Sequence, residues 1–90
     1  MGTFHHDKHE LHGITIVVET DGPELVVGRC HDIDERGVTL RDADVHHARE
    51  STTTRQAYLE AAGRVGVWPR HKRFFVPAER IREVRRLADS

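Results

Sequence analysis

The sequence holds one cysteine, Cys30, in ninety residues. That excludes an internal disulfide framework and a four-cysteine zinc site. Aromatic residues are sparse too: Phe4, Tyr58, Trp68, Phe74 and Phe75 are all of them. No apolar run approaches the ~20 residues that span a bilayer. The run at residues 65–68 is broken by Gly66. Neither sign of charge dominates, with 14 Lys plus Arg against 15 Asp plus Glu. The N-terminus lacks the basic-then-apolar pattern of a secretory signal. There is no phosphate loop, dinucleotide fingerprint or Gly-x-Ser-x-Gly nucleophile motif. These absences predict one small cytoplasmic domain that is not an enzyme. The hydrophobic share of 37% is too high for a disordered tail. A domain of this size hides only ~60–65% of its unfolded surface. Oligomerisation is a common remedy for so thin a core, so a homo-oligomer is expected.

The charge that is present is unevenly distributed. Residues 1–50 hold 5 basic and 11 acidic side chains, and residues 51–90 hold 9 and 4, giving −6 and +5. A basic patch for nucleic acid, head-to-tail association of copies, and simple mutual neutralisation within the fold all fit this asymmetry. The near-neutral pI of 6.7 argues against strong non-specific nucleic-acid binding.

The periodicity is mostly that of strands. Residues 1–12 form a polar, His-rich segment. From Gly13 onward, Ile14, Ile16 and Val18 alternate with Thr15, Val17 and Glu19, which predicts a first strand. Asp21-Gly22-Pro23 is a turn signal. A second strand then runs over Glu24–Asp34, with Leu25, Val27 and Arg29 on one face and Val26, Gly28 and Cys30 on the other. Gly28 has no side chain to pack and marks a sharp bend. Asp34-Glu35-Arg36-Gly37 is the next turn, and Val38-Thr39-Leu40-Arg41 begins a third strand. Residues 48–63 change period. Ser51 and the threonines after it can cap a helix. Tyr58, Ala61 and Ala62 give it a narrow apolar face, and Gly63 is its expected stop. Residues 73–76 read as a strand ended by Pro77. Residues 78–88 carry two readings. Helix propensity favours a helix after Pro77. The rival is a single helical turn at residues 77–80 and a strand from Ile81.

Three strands, a helical interruption and a strand-turn-strand ending resemble the Sm-like family of small bent five-stranded barrels. Asp21-Gly22 after strand one, Gly28 at the bend and Asp34 before the turn look like the family's first signature. Leu40-Arg41-Asp42-Ala43-Asp44 looks like its strand-three ending, Leu-x-Asp-Ala-Glu. Val76, Ile81 and Val84 fall at the spacing of Ile-Arg-Gly-x-x-Ile-x-x-Ile. The resemblance covers residues 13–47 and 73–88. It implies a mainly β fold: a strongly bent five-stranded antiparallel SH3-like or Sm-like barrel over residues 13–88. A short helix is inserted between strands three and four, at about residues 48–72. It also implies a ring of subunits joined edge to edge. The family's RNA-contacting residues do not carry over. The turn reads Arg36-Gly37-Val38 with no Asn, and Pro77-Ala78 stands where the family has Arg-Gly.

Three function classes follow. The first is a non-enzymatic homo-oligomer that binds RNA or another polyanion. In it Arg70, Lys72, Arg73, Arg82, Arg85 and Arg86 meet phosphates while Trp68 or Phe75 stacks a base. One of the neighbours Phe74 and Phe75 must face the core. The second is a protein-interaction scaffold of the same fold without nucleic acid. The third is a metal-responsive protein. His5, His9 and His12 would share one face of a helix at i, i+4 and i+7 and hold a divalent metal, although a mobile His-rich terminus is the plainer reading. Cys30 reads as a small buried hydrophobe rather than a nucleophile.

Overall fold

The computed structural model describes residues 11–47 and 54–89. Five antiparallel strands form one sheet: β1 (Thr15–Thr20), β2 (Glu24–Asp34), β3 (Gly37–His47), β4 (His71–Pro77) and β5 (Ile81–Arg86). A helix, α1 (Arg55–Val65), lies between β3 and β4. The strand order is β4-β3-β2-β1-β5, so β4 and β5 are the two edges. In a flat sheet four spacings of about 4.8 Å would part them by roughly 19 Å. Yet a single 3₁₀ turn, Ala78–Arg80, joins β4 to β5. Three residues rising about 2 Å each bridge less than half that gap, so the sheet must curl.

Gly28 shows how the curl is accommodated. A Cβ there would stand 2.8 Å from the Cβ and 2.9 Å from the Cα of Ala43. Only a glycine lets β3 approach this closely. The β2–β3 register slips between Val27 and Arg29, and again between Cys30 and Asp32. Such bulges bend a strand and increase its twist.

The sheet buries both faces. Ile16, Val18, Val26, Cys30, Ile33, Val38, Leu40, Ala43 and Val76 form the inner core. Val17, Leu25 and Val27 form a smaller outer core, covered by Tyr58 and Leu59 of α1 together with Val67 and Leu87. Residues 16–18 and 25–27 are therefore buried on both sides rather than alternating.

Three local readings are settled here. Thr54 caps α1, its hydroxyl accepting the Ala57 amide at 3.1 Å. The helix passes through Gly63 and stops at Gly66, not at Gly63 as the sequence suggested. Gly66 has φ of +97° and donates its amide to the Ala62 carbonyl, the left-handed stop that Gly63 does not make. Residues 78–88 take the turn-then-strand form. β5 pairs with β1 from Ile16↔Arg86 to Thr20↔Ile81, and those ladder bonds outweigh a local helix propensity. No helix among the described residues is long and apolar enough to cross a membrane.

Candidate nucleic-acid interface

The pairing register sets two parallel rows across β2, β3 and β4. Cys30 lies opposite Leu40, and Leu40 opposite Phe74. All three pack in or against the inner core. The adjacent row is Arg29, Arg41 and Arg73, each directly opposite the next. Successive side chains on a strand point to opposite faces. Anchoring Cys30, Leu40 and Phe74 inward therefore turns the three arginines outward, and all three are exposed. A one-residue slip would bury them, so the core enforces the row.

Directly opposed side chains have Cβ atoms ~4.5–5.5 Å apart. The three arginine side chains thus leave the sheet from neighbouring positions on one face. Among the described residues none of the three pairs with a carboxylate. Other arginines do pair. Arg80 meets Glu24 at 2.7 Å and Asp21 at 3.3 Å, and Arg55 meets Glu19 at 3.4 Å. Beside the row a cavity of about 310 Å³ is lined by Arg41, Asp42, Lys72 and Arg73. Asp42 is the one acid on that lining. It holds a left-handed φ of +50°, a conformation that aspartate tolerates better than most residues.

The next outward row contains Thr39 opposite Phe75. Phe75 is 48% exposed, whereas Phe74 packs against the inner core. The Cζ of Phe75 comes within 2.9 Å of where a Cβ on Gly37 would stand, so the ring fills the space a side chain there would take. An aromatic ring is thereby set two residues along β4 from Arg73.

A second polar cluster ties α1 to β3. The Tyr58 hydroxyl donates to Asp44 Oδ2 at 2.9 Å. Asp44 Oδ1 accepts the Val45 amide at 3.0 Å and faces Arg70 Nε at 3.5 Å. The His46 ring stacks on Tyr58 with centroids 4.6 Å apart. Burial, then the Asp44 carboxylate, push the Tyr58 phenol far above its ordinary value of 10.0. Burial, then Asp32, push the Cys30 thiol up to about 11.

The sequence-derived set therefore falls into separate groups. Lys72, Arg73 and Phe75 are together on β4. Trp68, 70% exposed, and Arg70 lie on the segment leading into that strand. Arg82, Arg85 and Arg86 are on β5, the opposite edge in strand order. There Arg85 is held by Glu19 at 2.6 Å and Arg86 by Asp89 at 2.9 Å, while Arg82 is exposed. His5 and His9 lie outside the described residues. His12 is exposed, its ring 6.0 Å from that of His31. Among the described residues no three His, Cys, Asp or Glu side chains gather as a metal site.

Sequence reasoning missed Arg29 and Arg41. Both lie in the acidic half of the chain, and nothing local marks them. Their place in the strand alternation was legible, but only packing turns them outward and only strand pairing brings them to Arg73. No family model matches the chain, and no curated protein is significantly similar to it.

Proposed function

We propose that this protein is a non-enzymatic module of the Sm-like kind that binds RNA or a comparable polyanion on the outer face of β2, β3 and β4. One observation carries the reading: the row Arg29–Arg41–Arg73, three cations on adjacent strands, none in a salt bridge among the described residues, with Asp42 the one acid lining the cavity beside Arg41 and Arg73. Two unit charges at 4 Å repel by about 1 kcal/mol even in water. A line of phosphates along the row would add attraction to each of the three cations. Lys72 extends the basic surface, and Phe75 adds an aromatic face beside it. The strand order and the helix between β3 and β4 support the Sm-like comparison. The outer edges of β4 and β5, unpaired within the described chain, support assembly with further copies.

The test is fluorescence anisotropy of the nucleic-acid-free chain with a labelled RNA over a range of salt. Binding should weaken steeply with salt, and Arg41→Gln should weaken it further. Affinity indifferent to both would sink the reading.

The exposed Val65 and Trp68 favour a second reading, a docking surface for a protein partner. A partner lost on Trp68→Ala, with RNA affinity nil in the parent chain, would select it.

A further inference from the structure

A cavity that the arginine row does not use opens where the curled sheet parts. β3 pairs with β4 only as far as Ala43↔His71, while its pairing with β2 continues to Glu24↔His47. The last residues of β3 thus have no partner on β4, and a cavity of about 280 Å³ lies between the two. Its floor is the margin of the inner core: Val26, Val45, Phe74 and Val76. Val26 lies opposite Val45, and Glu24 opposite His47 two residues along, so strand alternation turns both pairs to the same side. His71 borders the cavity too, its ring tilted over Phe74 with centroids 5.2 Å apart.

The polar groups at the mouth are not equivalent. Glu24 is the one acid on the lining, and Arg80 already holds its carboxylate at 2.7 Å. The imidazoles of His47 and His71 have no hydrogen-bond partner among the described residues. The mouth therefore offers N–H donors and a satisfied acid above an apolar, partly aromatic floor. An apolar group gains by leaving water there. A cation finds the carboxylate occupied, whereas an anion finds two donors. The volume is just below the roughly 300 Å³ at which ligand pockets usually begin, which suits one ring with a short arm.

We propose that this cavity is a binding site for a small aromatic carboxylate, its ring on Val26, Val45 and Phe74 and its carboxylate on the His47 and His71 imidazoles. The Arg80–Glu24 pair contributes by neutralising the one acid that would repel such a ligand. The site shares no arginine with the row and does not depend on the polyanion reading.

The experiment titrates the isotope-labelled full chain and follows its backbone amides by NMR. The probes are phenylacetate, its neutral isostere phenylacetamide, the cation 2-phenylethylamine, and acetate. Phenylacetate should shift the amides of Val26, Val45, Phe74 and Val76 saturably, with a Kd of about 1 mM or tighter. Phenylacetamide should bind about fivefold more weakly or worse, because it lacks the charge-assisted hydrogen bonds. The amine and acetate should not saturate. His47→Leu and His71→Leu keep apolar surface and remove a donor. Each should weaken phenylacetate about threefold or more and leave phenylacetamide within about twofold. Val45→Phe fills the cavity and should abolish both, with thermal melting to check that each variant is folded. An amide that binds as tightly as the acid, or an amine that binds more tightly, overturns the carboxylate assignment. So does an acid whose affinity ignores both His variants. If no probe shifts the cavity amides, the site itself fails.

Discussion

Tyr58 on α1 donates its hydroxyl to Asp44 on β3 at 2.9 Å. That bond fastens the helix to the sheet at a point where the carboxylate already accepts the Val45 amide. Phe at position 58 keeps the ring and its stacking on His46 but leaves a buried carboxylate oxygen without its donor. Tyr58→Phe should cost about 1–3 kcal/mol in urea unfolding. Tyr58 is the only tyrosine, so its titration is readable directly. The phenolate absorbance should stay flat as pH rises through the ordinary value of 10.0, and should climb only as the protein unfolds. The sign follows from linkage. The unfolded phenol releases its proton first, so stability falls with pH above that value.

Arg41 is the middle of the row and meets a like charge on each side. Arg41→Gln removes both repulsions and should raise the melting temperature by a few degrees at low salt. The gain should shrink as salt is added, because screening already weakens the repulsion in the parent. A residue kept for stability would show the opposite.

Glu24 reports on the connection that curls the sheet. Burial works to raise its pKa, but its own backbone amide and the Arg80 guanidinium outweigh this and hold it below the ordinary 4.5. A lowered carboxylate stabilises the fold above its unfolded value, and the contribution is lost as pH falls through the folded value. Glu24→Gln should therefore be less stable than the parent at neutral pH. The difference should vanish in acid below 4.5, as followed by denaturant midpoints across that window.

Cys30 is buried in the inner core, its thiol pushed up to about 11. It should resist thiol reagents in the native protein at mildly alkaline pH and react once in denaturant. Cys30→Ser would put a hydroxyl against Leu40 and should destabilise the fold by about 1–3 kcal/mol.

Much of the fold was legible locally. The first three strands follow from β-branched alternation, and the two turns from Asp21-Gly22-Pro23 and the run 34–37. That one of Phe74 and Phe75 faces inward follows from strand alternation; that it is Phe74 is decided by the core packing. The Thr cap and the Tyr58 face of α1 were equally readable, because capping and helical spacing need only neighbours in sequence. Of the candidate site, Lys72, Arg73 and Phe75 could be read as a basic-aromatic strand.

The rest needed partners distant in the chain. Residues 81–86 favour a helix by propensity, yet β1 supplies a row of backbone partners that a helix there would forgo. Gly66 rather than Gly63 ends α1, because only Gly66 takes a left-handed φ and returns its amide to Ala62. Arg29, Arg41 and Arg73 are separated by 11 and 31 residues as numbered, and no local pattern relates them. The sequence by itself determined, through strand alternation, which neighbours share a strand face with each arginine. Only the tertiary register, set by burying Cys30, Leu40 and Phe74 opposite one another, decided that the three cations share a line.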